Sequence, residues 1–400
     1  MAVDDLKLIT GKLWFSYVEA LLTSLVVGFA ESYFAAFSLH VGCTPLQSGL
    51  LVSVPLIFAA LLQFVIQTKV KKVGLSYFVK RALFIQSLAL LGLACLSLAE
   101  VPMPFYYLMF YFSIYWLGHF SIQPAWNRWI SDIIPADQGQ SYFSLRTRLS
   151  QVGIIAGLLG GGAMLHMNAL NIPEEYLFFG LFMSCFTLKV LVIQLFKKHP
   201  AYNTPLFLDL KHFKSLFSQN LGFFKRYATF NMSIFISAPF VSAYLLSIRN
   251  VGYLSFMAIM TCMFAGKVLS TYVLKHSQRQ IDPHQLLIWG GMLAAPLPML
   301  WPVCTTVTSM AILQFFSGVG WAGWEMGLSL YFFSRIKGEK KIEVVSLYNY
   351  VGVITQVIGT VLGAVMFSHL LKSNFDTLFV VSGIVRFIAV LGMRKPRLVA

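Results

Sequence analysis

Ionisable side chains inside long apolar stretches are the groups of this chain with the clearest capacity for chemistry. Glu31 stands near the middle of an apolar run over residues 13–40, and Tyr33 follows it by two positions. A charge at that depth costs about 2.5–3.5 kcal/mol on insertion scales, so it is retained for a function or for a specific partner. We expect the carboxyl group to bind and release a proton and to couple that step to helix movement; a permanently protonated, structural Glu31 is the alternative.

Further ionisable residues lie in later apolar runs. Lys189 and Lys267 each stand about two turns from the end of a run, so we expect their ammonium groups to extend to the membrane interface. Salt bridges among these lysines, Glu325 and Arg386 are the alternative, because an isolated charge at that depth would be costly. Glu325 and Arg386 are therefore candidates for a substrate or proton pathway.

A group of charges gathers where the fourth apolar run ends and the fifth begins. It comprises Arg128, Asp132, Arg146 and Arg148. We expect Arg128, Asp132 and Arg146 to form a cytoplasmic gate whose ion pairs break when the protein changes state; anchoring among lipid phosphates is the alternative. Arg148 could also face a cavity and bind an anion.

Uncharged polar residues add candidates for the same pathway. His119 and Gln123 are one helical turn apart and share a face. Gln356 stands within a later apolar run. For His119, a hydrogen-bonded structural role is the simpler alternative.

Enzyme and metal chemistry have little support in the sequence. The five cysteines are scattered singly, without CxxC spacing, so neither a metal site nor a disulfide framework is indicated. The sequence contains no HExxH and no Gly-x4-Gly-Lys-Ser/Thr pattern. We expect no catalytic residue, no metal and no cofactor; an intramembrane enzyme using His119 or His166 is the weaker alternative.

The elements that carry these residues are predicted by the apolar runs. Of 400 residues, 58% are hydrophobic and 11% are charged, a balance typical of a membrane protein. A bilayer core needs roughly 20 apolar residues per helix. Runs of about that length occur at residues 13–40, 45–68, 79–99, 104–131, 141–167, 174–196, 223–248, 252–274, 284–303, 307–334, 343–371 and 376–393.

The positive charges predict the orientation of these runs. Lys and Arg concentrate in alternate connections and at both ends of the chain, while the other connections hold only Arg249 and Lys372. Cytoplasmic loops of membrane proteins retain Lys and Arg, so both termini should be cytoplasmic. The net charge of +15 therefore reflects topology and attraction to membrane lipids rather than nucleic-acid binding.

The two halves of the chain repeat each other. Trp126 and Trp129 recur as Trp321 and Trp324, and a later Gly157, Gly161 and Met164 recur as Gly359, Gly363 and Met366. The tryptophans should pack or anchor rather than stack on a ligand. A repeat of this kind predicts two pseudo-symmetric bundles with a site near the membrane midplane. We expect bundles at residues 1–197 and 222–400 joined by a cytoplasmic linker over residues 198–221.

With these spans, charges and repeats, the chain resembles the major facilitator superfamily. Residues 69–74, KVKKVG, resemble its loop between spans two and three without the acidic residue, and the glycines of span five resemble a motif of drug and proton antiporters. The segment from Pro124 to Arg148 is similar to that of bacterial members.

The resemblance implies an all-α integral membrane protein with twelve transmembrane helices in two six-helix bundles, located in the cytoplasmic (inner) membrane. It implies a monomeric secondary transporter of a small-molecule substrate that works by alternating access, with H+ as the coupling ion. A lipid or lysolipid flippase and a solute receptor are the alternatives on the same scaffold.

Overall fold

The chain is almost entirely helical in the part that a computed structural model describes. That part comprises residues 3–69, 75–133, 139–196, 215, 217–276, 282–335, 340–371 and 373–393. Eight of its helices are long and apolar enough to cross a membrane. Most of the predicted linker over residues 198–221, and residues 70–74 of the loop motif, lie outside the described residues.

A helix occupies each of the predicted apolar runs. Pro45, Pro104 and Pro283 are the first residues of their helices, where the missing N–H is not needed and the fixed φ angle fits. The helices are α1 (Val3–Phe29), α2 (Phe34–His40), α3 (Pro45–Lys69), α4 (Leu75–Ser97), α5 (Pro104–Ile133), α6 (Gly139–His166), α7 (Glu174–Phe196), α8 (Leu221–Phe235), α9 (Tyr253–His276), α10 (Pro283–Ala294), α11 (Val307–Arg335), α12 (Lys340–Val365) and α13 (Phe375–Gly392).

Three spans predicted as continuous are broken near the middle. In the first, α1 ends at Phe29, a 3-10 turn covers Glu31–Tyr33, and α2 follows. In the seventh, α8 ends at Phe235, a 3-10 turn covers Ala238–Phe240, and a helical segment with a π turn at Tyr244–Ile248 completes the span. In the ninth, α10 ends at Ala294 and a 3-10 turn covers Leu297–Leu300. The seventh and ninth contain prolines and the first contains none, so hydropathy alone gave no sign of the first break.

The chain divides into two compact units. The first comprises residues 1–43 and 58–207, and the second comprises residues 44–57 and 208–400. In the first unit α1 packs on α6, and α4 packs on α5 and α7. In the second unit α8 packs on α12 and α13, and α11 packs on α9 and α10. The boundary at residues 197 and 222 stays a prediction.

Glycines bring the broken span of each unit against a neighbouring helix. A Cβ on Gly157 of α6 would lie within 3.0 Å of Gly28 and of the Leu25 carbonyl oxygen in α1. A Cβ on Gly359 of α12 would likewise meet the Met232 carbonyl oxygen of α8. Small residues permit this close approach of backbones in a bilayer. The glycine repeat in the sequence is therefore a repeat of one helix contact.

We expect Gly157→Ala and Gly359→Ala each to destabilise the protein by about 1–3 kcal/mol, because the added methyl group overpacks a backbone contact. Thermal unfolding of the purified protein in detergent would measure the change. Gly222→Ala is the matched control, since nothing lies within 4 Å of its Cβ position. Equal stability of all three variants would contradict this packing account.

Candidate functional site

The break in the first span places Glu31 inside the first unit. The hydroxyl of Tyr115, on α5, donates a hydrogen bond of 2.7 Å to Oε1 of Glu31. Tyr33, on the same turn, is buried and donates to the Leu158 carbonyl oxygen of α6 at 2.6 Å. Tyr33 therefore fixes the turn to α6, whereas Glu31 presents its carboxyl group to a donor on α5.

Lys189 supplies a cation to the same region. Lys189 is only 2% exposed, and its ammonium group lies within electrostatic range of Glu31 and Glu19. The expectation that Lys189 reaches the membrane interface is wrong, because α7 turns it toward α1 rather than toward lipid. His119 of α5 also lies within electrostatic range of Lys189. We call Glu31, Tyr115, Lys189 and His119 the Glu31 cluster.

A second ion pair joins α1 to α6. Arg146 lies 2.8 Å from a carboxylate oxygen of Glu19 and donates to the backbone oxygen of Ser16 at 2.6 Å. Its guanidinium group stacks 3.9 Å above the ring of Trp126. Glu19 was not among the predicted site residues, although this acidic residue lies within the first apolar run, as Glu31 does. Arg146 is thus bound within its own unit, and its role in a gate stays a prediction.

The second unit contains an ion pair that is partly exposed. Nζ of Lys267, on α9, lies 2.7 Å from Oε1 of Glu325, on α11. This contact confirms the salt-bridge alternative for this pair of residues. The Glu325 side chain is 57% exposed. Because an ionised carboxylate facing hydrocarbon is costly, this side of α11 should face water.

Arg386, on α13, lies beside the break in the seventh span. It is 6% exposed, and its Nη2 donates to the Ile234 carbonyl oxygen at 2.7 Å and to Ser237 Oγ at 2.9 Å. Trp321, Arg386 and Ser237 line a cavity of about 220 Å³ within the second unit. Trp324, by contrast, is buried against Phe230, with ring centroids 4.4 Å apart.

The remaining predicted residues are dispersed. Nε2 of Gln356 lies 3.3 Å from Oγ of Ser53 within the second unit. Arg148 is on the exposed side of α6. The side chains of Gln123, Arg128 and Asp132 lie outside the described part of the chain. Glu31 and His119 therefore both lie within electrostatic range of Lys189, whereas Gln356 and Arg386 belong to the second unit.

These observations fit a membrane protein with polar groups at breaks in its spans, and sequence comparison decides its family. A profile of the Major Facilitator Superfamily matches residues 13–360. The chain belongs to this superfamily. It is an integral membrane transporter rather than an enzyme, as the sequence predicted. No curated protein sequence matches it.

Solved structures support the fold. A bacterial homologue of the iron transporter ferroportin, in an inward-facing state, has a TM-score of 0.75 at 15% identity, covering 98% of this chain and 98% of that chain. The nucleoside transporter NupG has a TM-score of 0.70 at 12% identity, covering 96% and 99%. A bacterial homologue of the human lysosomal transporter Spinster has a TM-score of 0.61 at 11% identity, covering 98% and 95%. Likeness at such low identity establishes the fold and no substrate.

The buried pair of Glu19 and Arg146 should be energetically coupled. Arg146→Met leaves a buried carboxylate unpaired, which costs about 3–5 kcal/mol, and adding Glu19→Gln should recover much of that loss. The exposed pair of Lys267 and Glu325 is the control, with an expected coupling of about 0–1 kcal/mol. A double-mutant cycle measured by thermal unfolding gives both values. Additive losses at Glu19 and Arg146 would contradict the assignment.

The water-facing side of α11 can be mapped by cysteine labelling. In a background without native cysteines, we expect Glu325→Cys and Ser329→Cys to react with a membrane-impermeant thiol reagent. The exposed apolar side chain of Phe316, half a helical turn away from Glu325 around α11, provides the control. Phe316→Cys should stay unmodified. Reaction at Phe316→Cys but not at Glu325→Cys would mean that Glu325 faces lipid.

Proposed function

We propose that this chain is a secondary active transporter of a small organic solute and that it works by alternating access. Membership of the Major Facilitator Superfamily supports a transport function. The breaks in the first and seventh spans support a binding region near the membrane midplane, because discontinuous helices commonly form transporter sites. We further propose that the protein is a monomer of the inner membrane with both termini in the cytoplasm.

We propose that Glu31 is the proton-binding group. The observation that carries this proposal is its position at the break in the first span, between the Tyr115 hydroxyl and the buried cation Lys189. The ionised carboxylate accepts the Tyr115 hydrogen bond and offsets the charge of Lys189. Protonation removes that negative charge, leaving Lys189 with only the weaker effect of Glu19 and favouring a different arrangement of the cluster.

Such a change can be coupled to movement because Glu31 is held by a turn rather than by a continuous helix. Tyr33 anchors the same turn to α6, so a rearrangement around Glu31 can shift α2 relative to α1. A ligand or a proton shifts a conformational equilibrium only by its differential affinity for the two states. The Glu31 cluster provides such a difference through Lys189.

The substrate must first be found with the wild-type protein. A thermal-stability screen against metabolites, drugs and lysolipids identifies solutes that bind the folded state, because such ligands raise its stability. Proteoliposomes then test whether the hit is transported. If only lipids bind and cross the membrane, the flippase alternative replaces a solute transporter. Binding without any transport would indicate a receptor.

We expect Glu31→Gln to abolish accumulation of that solute driven by an imposed pH gradient, because the amide cannot bind and release the proton. Exchange of labelled for unlabelled solute without a gradient should continue, since it needs binding and conformational change only. Glu100→Gln, at an exposed position, is the control and should behave as the wild type. Gradient-driven accumulation by Glu31→Gln would remove Glu31 from the proton pathway.

A further inference from the structure

The second unit encloses a cavity beside the break in the seventh span. It has a volume of about 220 Å³ and is lined by residues from the seventh to tenth spans and from α13. This volume is below the roughly 300–1,000 Å³ of pockets for drug-sized ligands. It far exceeds the roughly 30 Å³ that one water occupies. The cavity therefore suits a small solute or ion.

Arg386 is the charged residue of this lining. Its Nε lies 3.2 Å from Ser382 Oγ, and its Nη2 bonds Ile234 and Ser237. The carbonyl groups in the last turn of α8 lose their regular helical donors because the helix ends at Phe235, and Arg386 donates to two of them, those of Ser233 and Ile234. The negative end of the α8 dipole offsets the arginine charge only in part.

No carboxylate completes the offset. Among the described residues, no acidic side chain lies within salt-bridge distance of Arg386 or acts on it electrostatically. Its Nη1 also has no acceptor among those residues. An arginine without a counter-charge in a low-dielectric interior is costly. The space next to it is where a counter-charge fits.

The first unit of the same chain offers a comparison for the surroundings of Arg386. There a buried cation of the sixth span, Lys189, faces a break in the first span that carries Glu31. In the second unit a buried cation of the twelfth span, Arg386, faces a break in the seventh span that carries Ser237. In the first unit a carboxylate of the chain acts on the buried cation, whereas among the described residues of the second unit no carboxylate does so for Arg386.

Other polar side chains of the cavity wall also have hydrogen-bond donors that could bind a ligand. Among the described residues, Nε2 of Gln314 has only the sulfur of Met260 as an acceptor, at 3.8 Å, which is a weak contact. The hydroxyl groups of Ser242 and Ser317 line the cavity and form no hydrogen bond with the other described residues. Amide and hydroxyl groups donate readily to anions. Arg386 is thus accompanied by three further donors on the cavity wall.

We propose that this cavity binds a small anion, with Arg386 as its counter-charge and Gln314, Ser242 and Ser317 as additional donors. A carboxylate suits the guanidinium group best, because charge-assisted hydrogen bonds between these groups are strong. Chloride and phosphate share the same chemistry. The inference goes beyond the proposed function, since anion binding in the second unit needs neither transport nor the Glu31 cluster.

Anion binding can be measured on the full-length protein in detergent. Trp321 and Trp301 line the cavity, so their fluorescence reports its occupancy. Sodium acetate, lactate, chloride and phosphate would be titrated at constant sodium, with a bulky sulfonate as the balancing anion. We expect a saturable fluorescence change and a rise in the unfolding temperature with at least one of the four. The anion that is effective at the lowest concentration distinguishes a carboxylate from an inorganic ligand.

Substitutions then test the role of the arginine. We expect Arg386→Gln to weaken binding at least tenfold. Because Arg386→Gln also removes bonds to α8 and could disturb folding, Ser237→Asp provides a second test that keeps the arginine. The new carboxylate would pair with Arg386, as Glu31 offsets Lys189, and should weaken anion binding at least tenfold. Ser237→Asn has the same shape without the charge and should weaken binding much less than Ser237→Asp does.

Arg249→Gln controls for general effects of charge. Arg249 belongs to the same unit but bonds Tyr244 and the Pro302 carbonyl oxygen, and it is not part of the cavity lining. Its substitution should leave anion binding unchanged. The proposal is overturned if the wild type shows no saturable response, or if Ser237→Asp and Ser237→Asn bind equally well. Transport that continues without anion binding would overturn this inference alone and leave the proposed function standing.

Discussion

The cost of a charge in a low-dielectric interior is the constraint on which the polar architecture of this transporter depends. Among the described residues, three cations in the interior of the units lie near groups that offset their charge. Arg146 pairs with Glu19, Lys189 lies within electrostatic range of Glu31, and Arg386 donates to a carbonyl group at the end of α8. The first and seventh spans supply these offsetting groups, whereas the more exposed pair of Lys267 and Glu325 joins α9 to α11.

Breaks in these spans make the arrangement possible. A continuous helix satisfies its own backbone groups and directs its side chains outward at regular spacing. At Glu31 and at Ser237 the helix is interrupted, so side chains and carbonyl groups become available to the neighbouring helices. The glycine contacts at Gly157 and Gly359 let the broken spans lie close to α6 and α12. A larger side chain at either position would collide with the opposing backbone.

The two units share this packing and differ in their charges. His40 pairs with Glu174 in the first unit, and Tyr244 bonds Asp376 in the second, so the far end of each broken span is tied to the start of the last helix of its unit. At the breaks the resemblance ends, because one carries a carboxylate and the other a serine. A duplicated scaffold thus provides two chemically different interiors, for which we propose proton binding in one unit and anion binding in the other.

The sequence by itself determined the helical spans and the membrane class, because the hydropathy and length of a local run decide whether it can span a bilayer. The glycine repeat also indicated a duplicated unit, but not which helices approach closely. Only the tertiary structure decided the partners of the charges. Lys189 looks in sequence like a residue that reaches the interface, yet packing turns it inward. The break at Glu31 and the unpaired Arg386 likewise depend on contacts between helices distant in the chain, which no local pattern encodes.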